Sequence, residues 1–449
     1  MIDPTDGRYA SRIEIPWGDS GRLNLHPPGT WPEPETFSPD LDGGLPDYAA
    51  ALNAALDTPE SGAAPFERSL GPGSKVAIVV DDPSRWTPVR QALPVLLDRI
   101  HAAGVRTDDV SISVGVGRHH AVDADSMRKR VGDAIFEAYS CQSPPVDDLS
   151  AYDDLGTTPE GIPVRVFRTV ARADLRVLVG SVLPHLQAGF GGGYKLVFPG
   201  TSHRSTLIAL HRGGLDGDTR RLLGGTAADN PMRHSIRAAA RLLGPCASVS
   251  HLLGPPGTVL RVASGPVDAV QDTLAAEATR RLRAPDRPEA DLVIAGNNPW
   301  PGDPLMSFKV LLQHRAACRP GGVLLGAFWT DPDELDRSMP LSALRAIAAT
   351  GAPGGWFIRR GLKAACLATS IMKHPAEFMI RWAAELVVDR HVLVYAPPLH
   401  ARIGPRLGPV RLFDDQSKLW NAAEKALNGP PRTIRVFPRG GLTYCPSPG

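Results

Sequence analysis

The segment Ser74–Pro88 reads SKVAIVVDDPSRWTP, and it decides the fold class. Its first half is a continuous, mostly β-branched apolar run, which is typical of a strand buried on both faces of a parallel sheet. Polar residues follow at once. An amphipathic helix is then predicted over Val89–Ala103, with Gly104 in the position of a C-cap. The segment therefore predicts a strand–loop–helix unit of an α/β protein.

The same pattern is found twice more in the first half of the chain. A predicted strand Val110–Val114 runs into GVGRHHAVDADS, and a predicted strand Leu175–Val179 runs into GSVLPHLQAGFGGGYKLVFPG. Because the carboxyl ends of parallel strands converge in open α/β sheets, the loops after the three strands are expected to line one ligand crevice. Those loops carry Asp82 and Arg85, His119 and His120, and His185 and Lys195.

A second α/β unit is predicted after the Arg- and Pro-rich segment Thr279–Pro288. Its first strand, Asp291–Ala295, is followed by a predicted helix from about Pro304 to Ala317 that carries Lys309. The fold class is therefore expected to be α/β, with two domains and mostly parallel sheets. The expected domains are residues 1–280 and 289–431.

Composition bounds the class of protein. The chain has 449 residues, of which 43% are hydrophobic and 21% charged, as in globular proteins that bury a substantial core. Its net charge of +2 comes without a basic stripe, so no nucleic-acid partner is expected. No membrane span and no signal peptide are predicted. Five scattered cysteines indicate reduced thiols, and a cytoplasmic location is expected.

The residues alone leave several alternatives open. Asp82 and Arg85 fit a carboxylate-binding arginine oriented by its neighbour, and equally well a capping aspartate with a surface ion pair. Lys195, in a glycine-rich turn, could bind a phosphate, form a covalent adduct or be solvated. For Lys309, at the start of an apolar run on its helix, a solvated helix-face lysine is the better interpretation from the residues alone.

The histidines have their own alternatives. His119 and His185 suit general acid/base chemistry, although an isolated loop histidine is more often a hydrogen-bonding surface residue. His203 and His211, on the predicted helix after Lys195, could bind a metal, but no spacing typical of a zinc site is present.

Three motifs in these loops resemble the lactate racemase family, which carries a nickel-pincer nucleotide, and the resemblance runs over nearly the full chain. They are Asp-x-x-Arg followed by Thr-x-Pro or a close variant, Gly-x-His, and Pro-His-x-x-Ala-Gly-Phe-x-Gly-Gly-x-Lys. They fall on Asp82, Arg85, Thr87 and Pro88, on Gly117 and His119, and on Pro184, His185, Ala188, Gly189, Phe190, Gly192, Gly193 and Lys195. The family's metal-binding histidine stands sixteen residues after that lysine, at the position of His211.

The resemblance implies a cofactor and the residues that hold it. The cofactor is nickel bound to a pyridinium-3-thioamide-5-thiocarboxylate mononucleotide. Lys195 would hold it through its thioamide, and His211 would complete the nickel site. Gly192 and Gly193 would lie against the flat cofactor. The family also implies an active site in the cleft between the two domains, and it makes the strand near 432–449 a candidate to return to the first domain.

The resemblance also implies an activity, the racemisation or epimerisation of a 2-hydroxy acid. Hydride would leave the carbinol carbon for the cofactor and return to the other face, with His119 and His185 as the paired acid/bases. Arg85 would bind the substrate oxygens, Asp82 would orient its neighbours, and Lys309 would face the substrate.

Departures from the family pattern bear on the substrate. Leu305 and Met306 replace a Tyr-Gln pair, so a substrate other than lactate is expected, and Trp86 and Trp300 permit a larger 2-hydroxy acid. The alternatives are an oxidoreductase that does not return the hydride, and a cofactor-free binding or cofactor-handling protein. The implied partners are the small-molecule substrate and the cofactor-synthesis proteins, and a homo-oligomer is left open.

Overall fold

The computed structural model describes residues 12–117, 121–215, 223–224, 230–300, 304–338, 341–372 and 377–446. The chain divides into two compact units. The central unit is Leu41–Arg281, and the terminal unit joins the described residues up to Asp40 to those from Leu282 onward.

Strands and helices alternate along most of the described chain. The strands are β1 (Ile13–Trp17), β2 (Gly21–Leu25), β3 (Glu35–Thr36), β4 (Val76–Asp81), β5 (Val110–Gly115), β6 (Ser140–Gln142), β7 (Tyr152–Thr157), β8 (Pro163–Phe167), β9 (Leu175–Ser181), β10 (Pro184–His185), β11 (Gly189–Phe190), β12 (Cys246–Leu253), β13 (Val259–Pro266), β14 (Ala290–Gly296), β15 (Cys318–Ala327), β16 (His391–Tyr395), β17 (Arg406–Leu407), β18 (Val410–Phe413) and β19 (Ile434–Phe437).

The helices are α1 (Tyr48–Asp57), α2 (Val89–Ala102), α3 (Ala124–Val131), α4 (Asp133–Ala138), α5 (Arg168–Ala171), α6 (Arg204–Gly213), α7 (Pro231–Ala240), α8 (Val267–Leu282), α9 (Pro304–His314), α10 (Pro332–Ser338), α11 (Leu341–Ala349), α12 (Gly351–Ile371), α13 (Glu377–Val387), α14 (Pro397–Ile403) and α15 (Gln416–Leu427).

The central unit is built on a six-stranded sheet of order β13-β12-β9-β4-β5-β6. All neighbouring strands in it are parallel except β12 and β13. Every residue of β4 is buried, as predicted for a strand covered on both faces. The predicted apolar face of α2, which includes Leu93, Leu96 and Ile100, packs into the same core. The α/β fold class is confirmed for this unit.

The terminal unit has a seven-stranded sheet of order β17-β18-β16-β15-β14-β19-β3. Its neighbours are parallel except for β17, which pairs antiparallel with β18. Its apolar core includes β14 and β15 residues such as Ile294 and Leu325, with Trp420 of α15. The expectation of mostly parallel sheets is therefore confirmed for both units.

The domain boundaries differ from those predicted. The strand near the C-terminus, β19, does not return to the central sheet; it pairs with β14 and with β3 in the terminal unit. The first described residues also belong to the terminal unit, because Ile13, Ile15 and Leu25 lie in its apolar core and β3 adds to the edge of β19. The predicted linker begins too early, since α8 continues to Leu282.

No helix in the described part of the chain is long and apolar enough to cross a membrane.

Candidate functional site

The candidate site lies at the carboxyl ends of β4, β5 and β9, which are neighbours in the central sheet. Asp81 at the end of β4 is in register with Gly115 at the end of β5. Ser181, the last residue of β9, donates its hydroxyl to Asp81 at 3.4 Å. The three strands thus bring their following loops to one edge of the sheet, as their order in the sequence suggested.

The loop after β4 is fixed by Arg130 of α3. Its guanidinium donates to the carbonyl oxygens of Arg85 at 2.8 Å and Thr87 at 3.1 Å. It also forms a buried ion pair with Asp81. The Thr87 hydroxyl donates to the other carboxylate oxygen of Asp81 at 2.6 Å. Arg85 is therefore carried by a loop with a defined backbone, which is what a substrate-binding guanidinium requires.

Asp81 and Asp82 have different partners and different structural roles in this loop. The Asp82 carboxylate accepts from the Ser84 backbone N–H at 2.8 Å and from the Ser84 hydroxyl, so it closes a local turn. Asp81 is buried, and this burial raises the pKa of its carboxyl while Arg130 acts in the opposite direction. The residue that anchors the loop is Asp81, whereas the sequence had singled out Asp82.

His185 is held in one orientation by its own loop. Its Nδ1 accepts from the backbone N–H of Ala188 at 3.0 Å and of Gln187 at 3.2 Å. β10 and β11 pair His185 with Gly189, which closes this loop into a short hairpin. Because Nδ1 is an acceptor, the neutral ring carries its hydrogen on Nε2.

The glycine-rich turn packs against the end of β9. A Cβ at Gly192 would lie 2.9 Å from the Ser181 carbonyl oxygen, and a Cβ at Gly193 would lie 2.9 Å from Oε1 of Gln271. Both glycines also have positive φ, +74° and +59°. The backbone contact is therefore sufficient to require glycine at position 192 without appeal to a ligand, whereas at position 193 the positive φ and a side-chain contact favour it.

Arg233 of α7 binds the backbone carbonyl groups of this turn. Its side chain donates to the oxygen of Ala188 at 3.3 Å and, at a shorter separation, to that of Phe190. Longer contacts of 3.4 and 3.5 Å reach Gly191 and Gly192. Arg233 is buried, and burial lowers the pKa of its guanidinium to about 10. A buried cation thus organises the backbone that carries Lys195.

Lys195 lies in a single 3₁₀ turn, Gly193–Leu196, directly after the glycines. Its carbonyl accepts from Gly200 N–H at 3.2 Å, and Leu196 packs so closely on Gly180 that a Cβ there would lie 2.9 Å away. The lysine side chain is half-buried. Lys195 is therefore presented from a rigid segment that rests on the sheet.

His211 occupies a buried position on α6. Its Nδ1 lies 2.8 Å from the Leu207 carbonyl oxygen, one helical turn earlier, so Nδ1 carries the hydrogen. Nε2, which has the lone pair, is then the acceptor or metal-binding atom of the ring. The Gln187 side-chain amide donates to the His211 backbone carbonyl at 3.0 Å. The Asn230 side-chain amide in turn donates to the Gln187 backbone carbonyl at 2.8 Å. The loop of His185 and the helix of His211 are thus linked by hydrogen bonds.

His203 has a structural role. It is the N-cap of α6, where its Nδ1 accepts from Ser205 N–H at 3.1 Å. Burial and, secondarily, Arg165 lower the pKa of its imidazole. Of the two histidines near this helix, only His211 keeps an arrangement suited to a metal.

The ring of His211 is arranged in a way that fits metal binding. A histidine that binds a metal commonly donates its second ring N–H to a backbone carbonyl, and His211 does so. Within the described ranges, no group of three or more His, Cys, Asp or Glu is placed to hold a metal ion.

Lys309 belongs to the terminal unit. It lies on α9, and its Nζ is 3.2 Å from the sulfur of Met306, one turn earlier. Trp300 is buried, and its indole N–H donates to the Gly441 carbonyl at 3.2 Å. Trp300 therefore packs within its own unit. His119, with Arg118 and His120, lies outside the described residues.

Four buried residues that organise the site were not singled out from the sequence: Asp81, Arg130, Gln187 and Arg233. Arg130 lies in the run MRKRV, where it looks like one of several solvated charges. Arg233 follows the predicted turn Asn230–Pro231, and nothing in its neighbours indicates burial. The only available signal was that Asp81 ends a strand predicted to be buried.

Comparison with known proteins gives matches along much of the chain. The family model described as "Lactate racemase N-terminal domain" matches residues 34–221. The lactate racemase of Thermoanaerobacterium thermosaccharolyticum is 24% identical over 58% of this chain and 61% of its own length. That of Lactiplantibacillus plantarum is 22% identical over 61% of this chain and 64% of its length. The chain thus spans somewhat over three-fifths of these relatives.

Solved structures share the fold. The lactate racemase apoprotein from Thermoanaerobacterium thermosaccharolyticum superposes with a TM-score of 0.75 at 20% identity, covering 97% of this chain and all of that chain. A Thermotoga maritima protein superposes with a TM-score of 0.64 at 14% identity, covering 91% of this chain and all of its own.

Proposed function

Because the chain belongs to the lactate racemase family, we propose that it racemises or epimerises a 2-hydroxy acid with a nickel-pincer nucleotide. The observation that carries the proposal is the ring of His211, whose Nδ1 donates to the Leu207 carbonyl oxygen at 2.8 Å, as the second ring nitrogen of a metal-binding histidine commonly does. The same helix is tied through Gln187 to the loop of His185.

Two residues of the central unit would hold the cofactor. Lys195 would hold it covalently through its amine, and His211 would bind the nickel through Nε2. Bound there, the group would supply a reversible hydride acceptor for the carbinol carbon of the substrate. Arg233, by holding the carbonyls of the glycine-rich turn, would keep Lys195 in place for this attachment.

Arg85 would bind the substrate carboxylate, since a guanidinium meets a carboxylate with two parallel hydrogen bonds. Its position is supported by Arg130, which binds its carbonyl oxygen. A guanidinium fixed at its backbone places the 2-hydroxy acid in a defined orientation relative to the proton-transfer groups.

Proton transfer is proposed for His119 and His185, one serving each face of the substrate. In the tautomer described, the Nε2–H of His185 would donate a hydrogen bond to a substrate oxygen. Transfer of a proton at Nε2 in either direction would require the amides of Gln187 and Ala188 to release Nδ1, because Nδ1 must carry a hydrogen when Nε2 loses or gains one. In the direction that begins from this arrangement, His119 is therefore the group that takes the hydroxyl proton.

The substrate is proposed to be a 2-hydroxy acid other than lactate. Met306, where the family has glutamine, brings its thioether within 3.2 Å of Lys309 Nζ and offers no N–H donor. A substrate that depends on an amide donor would be held less well, while an apolar side chain would be accommodated. The half-buried Trp86 of the central unit is compatible with a larger acid.

The test is to produce the full chain together with the cofactor-synthesis proteins. Expected are an intact-mass adduct under denaturing conditions, about one nickel per chain, and exchange of stereochemistry across a panel of 2-hydroxy acids. Lys195→Ala should abolish the adduct and the activity. Lys75→Ala, an exposed lysine at the opposite end of β4, should retain both.

Several outcomes would contradict the proposal. They are an adduct-free wild-type chain, racemisation that survives Lys195→Ala, or turnover of lactate alone. A net build-up of keto acid would instead identify an oxidoreductase that does not return the hydride. No activity in a chain carrying the adduct would favour a cofactor-handling role.

A further inference from the structure

A groove of about 460 Å³ lies at one edge of the terminal sheet. Its walls come from the β17–β18 hairpin, from α14 and from one face of α15. Four cationic side chains line it, Arg406, Arg411, Lys418 and Lys425. Its volume is within the range of small-molecule sites, about 300–1,000 Å³.

The two arginines face each other across the hairpin. Arg406 of β17 and Arg411 of β18 are direct partners in the antiparallel register. Side chains opposite each other in such a pair lie on the same face of the sheet, and like charges there repel. Partial burial and then Arg406 lower the pKa of the Arg411 guanidinium. The hairpin therefore carries an electrostatic cost that a bound anion would relieve.

The two lysines add to the same charge. Lys418 and Lys425 are seven residues apart on α15, so they project from one face of the helix toward the hairpin. In the described part of the chain, none of the four cations forms an ion pair with a carboxylate. The one acidic side chain in the lining, Asp414, lies 3.3 Å from Nδ1 of His400. The groove thus keeps a local excess of positive charge.

We propose that this groove binds a small phosphorylated molecule through its phosphate groups. Guanidinium groups match phosphate oxygens in a bidentate manner, and lysines supply further point charges. A soluble ligand is favoured over a lipid headgroup because the large apolar lining residues, Leu412 and Phe413, are buried beneath the groove. The site lies wholly within the terminal unit and is independent of the proposed racemase activity.

Isothermal titration calorimetry of the full chain with inorganic pyrophosphate at low ionic strength tests the proposal. Saturable binding with about one site per chain is expected. Each charged contact that is removed should weaken binding roughly tenfold, so Arg406→Gln with Arg411→Gln should weaken it about a hundredfold. Lys418 and Lys425 lie on an exposed helix face, so the double variant Lys418→Gln with Lys425→Gln should still fold. It provides a second measurement of how much the groove's charge contributes to pyrophosphate affinity.

Arg432→Gln is the matched control, because it removes an exposed arginine of the same unit outside the groove. It should bind pyrophosphate like the wild type. The ligand-free arginine double variant should have a melting temperature no lower than the wild type, since the repulsion is removed. The proposal is overturned by a wild type that shows no saturable heat, or by double variants that bind as tightly as the wild type.

Discussion

Replacing Arg233 with methionine should weaken the central unit at the glycine-rich turn. Methionine keeps the apolar stem but removes the guanidinium, which donates to the carbonyls of Ala188 and Phe190 and more weakly to those of the next two residues. At about 1.5 kcal/mol for each of the two better contacts with a charged donor, the expected loss is about 3 kcal/mol of unfolding free energy. Burial of the charge itself works against this loss, because an uncharged side chain has no desolvation cost.

Urea-induced unfolding of the purified chain, followed together with hydrogen exchange at residues 188–196, measures the effect. The matched control is Arg237→Met, one turn further along α7, where a partly exposed arginine forms an ion pair with Asp268 at 2.8 Å. Its loss should be about 0–1 kcal/mol.

A second measurement separates positioning from general stability. The rate at which the Lys195 amine is acylated can be mapped by peptide mass spectrometry under native conditions. This rate should differ from the wild-type rate in Arg233→Met and equal it in Arg237→Met. The reasoning would be refuted if Arg233→Met cost less than about 1 kcal/mol. An unchanged reactivity of Lys195 would also refute the positioning role.

Three further predictions concern the central unit. Burial lowers the pKa of His251 to about 4 from 6.5, so its neutral form stabilises the fold fully above pH 6.5. As pH falls toward 4, up to about 3 kcal/mol should be lost, and His251→Gln should flatten this dependence in pH-resolved unfolding. Gly192→Ala should cost more than Gly43→Ala, because both have similar positive φ but only the first meets a backbone oxygen at 2.9 Å. In chemical denaturation, the loss of unfolding free energy should be about 1 kcal/mol for Gly43→Ala and about 3 kcal/mol for Gly192→Ala. Equal losses would disprove the steric argument. Asp81→Asn should cost about 3–5 kcal/mol by breaking a buried ion pair, whereas Asp82→Asn, which retains a capping oxygen, should cost under about 1 by the same assay.

The sequence was most informative where one physical effect dominated. β4 and α2 were predicted almost to the residue, because a fully buried strand and an amphipathic helix leave simple hydrophobic patterns. Their order then placed the loops of Asp82 and His185 at one edge of the sheet. The motif spacing from His185 to Lys195 to His211 also drew attention to the loop and helix that the structure links.

Prediction failed where polar groups are buried in pairs. β12 was not predicted, since CASVSHLL contains two serines and a histidine that look exposed. In the fold, Ser248 and Ser250 bond each other at 2.8 Å, and His251 bonds Tyr48 and the Gly180 carbonyl. Single-residue patterns cannot show that a polar side chain will meet its partner. The same reason hid Arg130 and Arg233.

The helix α12 was missed for a different reason. It begins with GAPGG, a sequence that favours a turn. Its proline is the third helical residue, where the missing N–H costs no hydrogen bond within the helix. The domain boundary was missed because a two-residue strand such as β3 leaves no periodic signal, although it joins this part of the chain to the terminal sheet.

The pairing of β3 with β19 has a consequence for synthesis. Arg435 and Glu35, four hundred residues apart, are register partners, so this edge of the terminal sheet cannot form until Arg435 has left the ribosome. Leu41–Arg281 emerges earlier and holds all six strands of its own sheet. During synthesis the central unit is therefore expected to fold first, while β3 stays unpaired until β19 has been made.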